Sequence, residues 1–387
     1  MKVVCDRASL LDAVNLVSGV VAARSTRPQL GCVKLTATKS GKAGQLVLSA
    51  TDGEMSLRLN TAQVDVSQPG EALIPADKLR QIVSAEEGEP TLTIEVESDA
   101  CHIRGRDAYF KVLGYPPAEF PPMPDLSQVL AGTSTYGKAK ASFKIPAGML
   151  NSMVTRTVFA TARENSRYAI NGVLVKRDGK KIEFVATDGR RLAHCKGTLG
   201  ASEKDPVTCI IPTKALTMLQ RLVHDPEETV QFAVTDAQVF FSLGSESDAR
   251  AVLSSNVIEG TFPPYEEVIP KDMDRKIVFD RDVLTSAVKR AALLTNEESR
   301  GVRLKFQGKQ LELSSRAPEM GEAQIQVDVS SYSGDDIEIG FNPVFITDAL
   351  KVMAESEVIM ELKSPSKAGL MKSGSDFTYV VMPVSLT

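Results

Sequence analysis

Apolar residues recur with helical spacing at three places along this chain of 387 residues. Positions i, i+3, i+4 and i+7 lie on one side of a helix, where they can be buried together. The three sets are Leu10, Leu11, Val14, Val17 and Val21; Met149, Leu150, Met153, Val154, Thr157 and Val158; and Leu284, Ala287, Val288 and Ala291. The pattern therefore predicts three amphipathic helices, each with one buried face.

Each predicted helix is followed by segments in which apolar and polar residues alternate, as in a strand with one buried face. The alternation is clear at 33–36, 172–175 and 301–306. A second helix is predicted in each third of the chain, over 77–82, 214–223 and 344–353. The order helix, strands, helix, strands thus occurs three times.

Short motifs fix the length of this repeat. The sequence Ala-Thr-Asp-Gly at 50–53 returns at 186–189, and Ile-Pro at 74–75 returns at 211–212. Pro343 follows Pro212 by 131 residues, and all these intervals lie close to one third of the chain. The third copy has Ser-Ser-Arg at 314–316 where the Thr-Asp-Gly is expected.

The repeat predicts an α+β fold of three similar domains, each with two helices packed on antiparallel sheet. Proline-rich stretches at 116–124 and 263–270 close the first and second units, and a polar stretch at 127–140 is predicted to be a linker. We place the domains at 1–132, 133–268 and 269–387.

Composition limits the classes of function. The 45 Lys and Arg residues against 49 Asp and Glu give a net charge of −4, which is ordinary for a folded soluble protein and excludes a disordered chain. Five scattered cysteines without a Cys-x-x-Cys favour a reducing compartment and a cytoplasmic location. The charge-free run at 13–23 is shorter than the roughly 20 residues of a membrane span, so neither a span nor a signal peptide is expected.

The sequence lacks recognisable motifs of catalysis: it has no phosphate-binding loop, nucleophile elbow or zinc-protease motif. The Cys-His pairs at 101–102 and 194–195 lie in strand-like runs, where neighbouring side chains point to opposite faces, so no metal site is expected. Asp52 and Asp188 allow two interpretations, the carboxylates of a hydrolase or the corners of tight turns. The turn is favoured because Asp binds its own backbone and Gly accepts positive φ. We expect no catalytic residue, cofactor or metal.

Basic residues on the predicted helices indicate either a solvated face or a nucleic-acid partner. They are Lys78, Arg80, Arg156, Arg163, Lys214, Arg221, Lys289 and Lys351. Because the sequence pI is about 5.7, any basic surface must be segregated from an acidic exterior.

Seven longer motifs are specific: Arg-Tyr-Ala-Ile-Asn-Gly at 167–172, Ala-Thr-Asp-Gly-Arg-Arg-Leu at 186–192, Thr-Phe-Pro at 261–263, Val-Ile-Pro at 268–270, Thr-Asn-Glu at 295–297, Arg-Gly-Val-Arg-Leu at 300–304 and Tyr-Val-Val-Met-Pro at 379–383. Together they resemble the bacterial β sliding clamp family, the processivity subunits of DNA polymerase III. The resemblance implies a DNA-clamp fold and a head-to-tail homodimeric ring, with helices lining a pore around double-stranded DNA. Its implied partners are the replicative polymerase alpha subunit, the clamp loader and other proteins that carry a clamp-binding motif. A paralogue dedicated to repair or resistance remains an alternative.

The resemblance also implies three sets of site residues. DNA-facing positions are Arg24, Tyr168 and Lys214. A peptide-binding groove comprises Arg167, Ile170, Thr187, Gly189, Arg190, Arg191, Leu192, Pro263, Val268, Val380, Met382, Pro383 and Leu386. The dimer interface places Phe110 and Val112 against Leu293 and Leu294. Glu164 and Ala169 depart from the family pattern of a polar amide and a second tyrosine near the DNA.

Overall fold

The structure, a computed structural model, describes residues 1–22, 24–40, 43–61, 64–163, 169–245, 249–295 and 301–385. The chain forms two compact units, Met1–Asn151 with Lys214–Val257 and Ser152–Thr213 with Ile258–Thr387. Each unit contains two antiparallel sheets, which agrees with the predicted fold class.

Seven α-helices lie within the described residues. They are α1 (Arg7–Val17), α2 (Ala76–Ala85), α3 (Leu126–Ala131), α4 (Ala147–Val158), α5 (Thr213–Leu222), α6 (Arg281–Ala291) and α7 (Pro343–Val352). Single 3₁₀ turns occur at Pro28–Gly31, Pro117–Glu119, Tyr265–Glu267 and Ala292–Leu294. All six helices that the repeat predicts are present, with ends shifted by a few residues.

Apolar periodicity and capping explain where these helices form. The Asp6 side chain caps α1 by accepting from the N–H of Ser9, and the Asp280 side chain caps α6 in the same way. The four apolar residues predicted for α6 are all buried. Helix α1 ends at Val17, so Val21 of the predicted helix lies beyond it.

The predicted linker at 127–140 is partly wrong, because α3 occupies its start. The Asp125 side chain caps α3, and Gly132 ends it in the left-handed conformation that glycine adopts without strain. Leu126 and Val129 of α3 pack against buried residues of the sheet. Two apolar positions one helical turn apart are too few to form a recognisable helical pattern, so the sequence does not predict α3.

The strands are numbered in chain order. The first ten are β1 (Lys2–Asp6), β2 (Cys32–Ser40), β3 (Ala43–Thr51), β4 (Met55–Thr61), β5 (Val64–Gln68), β6 (Gly70–Pro75), β7 (Thr91–Glu97), β8 (Ala100–Arg104), β9 (Tyr109–Leu113) and β10 (Ala141–Pro146). They continue with β11 (Gly172–Thr187), β12 (Arg191–Pro212), β13 (Thr229–Val234), β14 (Gln238–Gly244), β15 (Ala249–Asn256), β16 (Arg275–Asp280) and β17 (Val302–Gln307). The last are β18 (Gln310–Ala317), β19 (Gly321–Asp328), β20 (Ser331–Ser333), β21 (Ile337–Phe341), β22 (Glu357–Leu362), β23 (Gly369–Ser373) and β24 (Phe377–Val381).

The first unit contains a five-stranded sheet, β5-β1-β7-β8-β9, and an eight-stranded sheet, β10-β13-β14-β15-β4-β3-β2-β6. The larger sheet joins strands of the first two sequence repeats, since β15 pairs with β4 in the register Leu253 to Leu57. Helix α1 packs on β3 and β4 and buries Leu10, Val14 and Val17.

The second unit contains a seven-stranded sheet, β11-β12-β24-β23-β22-β16-β20, and a four-stranded sheet, β19-β18-β17-β21. Here β12 pairs with β24, so that Leu192 lies opposite Val380. These two residues belong to one buried core cluster with Val185, Ile210 and Tyr265. The join between β12 and β24 is where the second and third sequence repeats meet.

Candidate functional site

A tight turn between β11 and β12 presents two arginines beside the β12–β24 join. Thr187 Oγ1 accepts from the N–H of Gly189 at 3.1 Å, and Asp188 Oδ1 accepts from the N–H groups of Arg190 and Arg191 at 3.0 and 3.1 Å. Gly189 has a φ of 84°, a region that disfavours side chains with a Cβ. The geometry confirms the turn interpretation of this Asp-Gly pair.

Arg191 is held by three acceptors and two aromatic faces. Its Nε donates to Asp188 Oδ2 at 3.1 Å, its Nη1 to Asp348 Oδ2 at 3.0 Å, and its Nη2 to the carbonyl of Phe159 at 2.9 Å. The guanidinium carbon lies 4.5 Å from the ring centre of Phe345 and 5.4 Å from that of Phe159. Planar, forked donors suit this arrangement, and only a tenth of the side chain is exposed. The side chain therefore forms a rigid wall.

Beside this wall lies a cavity of about 180 Å³. Its lining combines backbone of the turn with apolar side chains: Ile170, Thr187, Gly189, Arg190, Arg191, Leu192, Pro263, Tyr265, Val268, Val380 and Met382. The pairing of β12 with β24 forms the floor of the cavity, because it sets Leu192 opposite Val380. The N–H of Met382 donates to the carbonyl of Arg190 at 2.9 Å and extends this pairing. Leu192 and Val380 are buried, whereas Met382 is 42% exposed and Val268 48%. The cavity therefore has a fixed floor and a rim that is accessible to a ligand.

The structure brings together ten of the thirteen residues predicted for the groove. Pro383 is partly buried but does not line the cavity. Arg167 and Leu386 lie outside the described residues. The segment after β24 is fixed to β21, because the N–H of Val384 donates to the carbonyl of Gly340.

Tyr265 is the lining residue that the sequence analysis missed. Its hydroxyl donates to Glu183 Oε2 at 3.0 Å, and the same oxygen lies 3.2 Å from His194 Nε2. Lys176 Nζ lies 3.4 Å from the Tyr265 hydroxyl and 3.1 Å from Glu266 Oε1. Burial, with Glu183 beside it, raises the pKa of Tyr265, whereas burial lowers the pKa of His194, so both side chains are neutral near pH 7. A buried tyrosine in the run Pro-Pro-Tyr-Glu-Glu gives no periodic signal, so the sequence could not reveal its partners.

The predicted DNA-facing residues lie in the first unit or outside the described residues. Lys214, in the first turn of α5, forms an ion pair with Asp52 Oδ2. Arg24 is exposed in the loop after α1. Tyr168 and Glu164 lie outside the described residues, and Ala169 is buried in the core of the second unit.

Several other basic residues have partners and are not simply solvated. Arg156 donates to Asp376 Oδ2 at 2.7 Å, and Arg221 donates to the carbonyl of Asn15 at 3.1 Å. Lys351 Nζ lies 3.1 Å from Asp348 Oδ1, the residue that also binds Arg191. The basic helix faces thus consist partly of ion pairs.

The predicted interface residues lie at the edges of two sheets. Phe110 and Val112 are half-buried on β9, the last strand of the five-stranded sheet. Leu293 is 72% exposed after α6, and Leu294 lies beside the turn between β18 and β19, with its Cδ1 4.0 Å from a Cβ placed on Gly321. Each unit therefore presents an apolar surface beside an edge strand.

Within the described residues no group of His, Cys, Asp and Glu side chains is arranged to hold a metal ion. All five cysteines are buried and form no disulfide. In the same residues, no helix is both long enough and apolar enough to span a membrane.

Sequence-family models of the three domains of the DNA polymerase III beta subunit match consecutive parts of this chain. The N-terminal domain model matches residues 1–124, the central domain model 144–264 and the C-terminal domain model 266–385.

Whole-chain relatives agree with this match. The beta sliding clamp of Pseudomonas putida KT2440 is 32% identical over 98% of both chains, and that of Escherichia coli K12 is 30% identical over the full length of both. A crystal structure of a sliding clamp (DNA polymerase III subunit beta) from Pseudomonas aeruginosa, bound to griselimycin, superposes with a TM-score of 0.89 at 31% identity and full coverage of both chains. The sliding clamp of Bacillus subtilis superposes with a TM-score of 0.89 at 25% identity, covering 100% of this chain and 99% of that chain.

Proposed function

This chain belongs to the DNA polymerase III beta subunit family, the bacterial sliding clamps, and we propose that it acts as a homodimeric ring that tethers partner proteins to DNA. A sliding clamp is not a catalyst. Retention on DNA is topological, because a closed ring cannot leave a duplex sideways. We place the three clamp domains at 1–132, 133–268 and 269–387, near the boundaries of the repeat.

The cavity beside Arg191 supports the proposed binding of partner proteins. It has a buried apolar floor, an accessible rim and few polar groups, which is the chemistry of a site for one or two apolar side chains. Met382 at the rim is flexible and polarisable, which suits a receptor for several related peptides. We assign this cavity to short linear segments of the replicative polymerase alpha subunit, the clamp loader and other clamp-binding proteins.

A matched pair of rim and helix variants tests this assignment. Val268 lines the cavity and is 48% exposed, so Val268→Asp should fold but place a charge where an apolar peptide side chain binds. Val283 on α6 is 44% exposed and lies outside the cavity, so Val283→Asp is the control. Titration calorimetry with a polymerase-derived peptide should show at least about tenfold weaker binding for Val268→Asp only. Equal affinity of both variants would place the peptide site elsewhere.

Contacts with DNA should be few, basic and independent of sequence, because phosphates present the same charge at every position. We assign Arg24 and Lys214 to this role and keep Tyr168 as a third proposed contact. Lys214→Ala and Arg24→Ala should each weaken duplex binding modestly and to the same extent for every sequence. A strong preference for one duplex in a competition assay would contradict this assignment.

The homodimer is proposed to join β9 of one chain to the surface after α6 of the other. An edge strand has unpaired N–H and C=O groups, which makes it a template for pairing with another chain. Exposed Leu293 and Met320 in the second unit, and Tyr109 and Leu113 on β9, supply apolar area on the two sides. A head-to-tail contact of this kind closes into a ring when the rotation between subunits permits it.

A further inference from the structure

The two Thr-Asp-Gly motifs form the same turn and use the same carboxylate oxygen for it. In the first motif, Asp52 Oδ1 accepts from the N–H groups of Glu54 and Met55 at 2.9 and 2.7 Å. In the second, Asp188 Oδ1 accepts from the two corresponding N–H groups. Gly53, like Gly189, has a positive φ, here 94°. The second carboxylate oxygen of each Asp remains available in both turns.

In both turns that second oxygen binds a positively charged side chain. Asp188 Oδ2 accepts from Arg191 Nε, at the wall of the peptide cavity. Asp52 Oδ2 forms the ion pair with Lys214, which is 162 residues away in the sequence. The corresponding position of the third repeat has Ser315, whose hydroxyl donates to the carbonyl of Ala291.

The turn alone does not require a carboxylate. The amide oxygen of an asparagine would accept the same two backbone hydrogen bonds as Oδ1. The negative charge of Asp52 is therefore explained by Lys214 and not by the turn. Burial by itself would raise the pKa of Asp52, but Lys214 and the two backbone N–H groups outweigh it and lower the pKa, so the carboxylate is charged at pH 7.

The exposure of the two partners is unequal. The Asp52 side chain is 13% exposed, whereas that of Lys214 is 55% exposed. The carboxylate is shielded within the turn, whereas more than half of the Lys214 side chain is exposed and can also meet a phosphate. A phosphate oxygen must therefore compete with a fixed, prepositioned anion. Arg24 differs, because it makes no ion pair within the part of the chain that is described.

We propose that Asp52 is an intramolecular counter-ion that limits the strength of the contact between Lys214 and DNA. The inference rests on the proposed DNA-facing role of Lys214. The pair keeps Lys214 in a defined position near the duplex and keeps each phosphate contact weak. Weak contacts suit a ring that is retained by topology and must move along the duplex, because a tight salt bridge to one phosphate would oppose each step.

Charge-matched variants of the same turn test the proposal. Asp52→Asn keeps the two turn hydrogen bonds and removes the charge that binds Lys214. Glu54→Gln removes one negative charge two residues away, at an exposed side chain with no ion pair among the described residues. Both variants are combined with Lys214→Ala. Binding of a short fluorescein-labelled duplex to the full-length protein is measured by anisotropy at low ionic strength, and folding is checked by the melting temperature.

Asp52→Asn should tighten duplex binding by a factor of about 2–5, the range expected for releasing one ion pair at the surface. This increase in affinity should be larger than the increase caused by Glu54→Gln. In the Lys214→Ala background the two variants should have the same small effect. The proposal is overturned if, with Lys214 present, the two variants change duplex affinity equally. It is also overturned if Asp52→Asn binds the duplex more weakly than the unaltered protein. If Lys214→Ala binds DNA as tightly as the unaltered protein, the assignment of Lys214 to DNA fails as well. Asp52→Ser, whose hydroxyl also accepts backbone hydrogen bonds in such turns, supplies the second test should the asparagine variant unfold.

Discussion

At the scale of single residues, Arg191 shows how one side chain can form the wall of a cavity. Its guanidinium connects the turn after β11, helix α7 and the carbonyl of Phe159, three parts of the second unit that are distant in sequence. The resemblance implies that Arg191 belongs to a peptide-binding groove, and the structure shows the acceptors that fix it at the wall of the cavity. The sequence does not reveal that Asp188 and Asp348 both bind Arg191, because the two residues are 160 positions apart.

Arg191→Lys should destabilise the protein although it preserves the charge. A lysine ammonium is a point charge on a flexible stem and cannot reach three acceptors spread around a planar fork. At least one partly buried acceptor then loses its donor, which costs up to about 1–3 kcal/mol. Urea unfolding monitored by circular dichroism measures the difference. Arg190→Lys is the control, because Arg190 lines the same cavity but is exposed. Equal unfolding midpoints for the two variants would contradict this account of Arg191.

The network of His194, Glu183 and Tyr265 predicts a pH dependence of stability. Burial lowers the pKa of His194 below its ordinary value of 6.5, so the unfolded chain takes up a proton more readily than the folded protein. The contribution of His194 is therefore fully present above pH 6.5 and is lost as the pH falls toward the lowered pKa of the folded protein. Below pH 6.5, His194→Gln should reduce the slope of unfolding free energy against pH by up to about 1.4 kcal/mol per pH unit. Urea unfolding at several pH values measures this slope, and an unchanged slope in the variant would contradict this account of His194.

At the scale of elements, six of the seven helices within the described residues could be predicted from the sequence, but the short helix α3 and the joins between repeats could not. Helices α4 and α6 are predicted because their buried residues lie three or four positions apart, so the signal is local. The pairings of β15 with β4 and of β12 with β24 join strands that are about 190 residues apart along the chain. An alternating pattern identifies a strand and its buried face but not its partner. The cavity floor depends on the second of these joins, so its residues came from family resemblance and not from periodicity.

Removing residues 383–387 tests the role of the C-terminal segment. The deletion removes the hydrogen bond from the N–H of Val384 to Gly340, worth about 0.5–1.5 kcal/mol, and leaves β24 intact. Met382 keeps its own hydrogen bond to the carbonyl of Arg190 but loses the anchored segment that follows it, and we expect peptide affinity to fall strongly. Calorimetry with a polymerase-derived peptide measures the affinity, and the melting temperature should change by only a few degrees. Full affinity after the deletion would show that β24 alone positions Met382.

At the scale of the whole molecule, charge and function are opposed. The chain has a net charge of −4, yet its proposed partner is the strongly anionic DNA duplex. Strong general attraction is therefore not available, and local basic residues such as Lys214 must act against an acidic background. The proposed ring reconciles these facts, because its retention would depend on closure and not on affinity. In that ring the dimer interface would determine how long the clamp remains on DNA.

Leu293→Ala combined with Leu294→Ala should give folded monomers. In the single chain Leu293 is 72% exposed, so shortening it removes little buried contact within the subunit. In a dimer the same side chains would be buried against Phe110 and Val112, where loss of a leucine side chain costs about 2–5 kcal/mol. The double variant should therefore weaken association far more than folding. Sedimentation velocity gives the mass of the particle and thermal unfolding gives the stability of the subunit. Val283→Ala on α6 removes an apolar side chain that is also exposed but lies at the other end of the helix, and it should remain dimeric. An unchanged dimer in the double variant would mean that the ring closes through another surface.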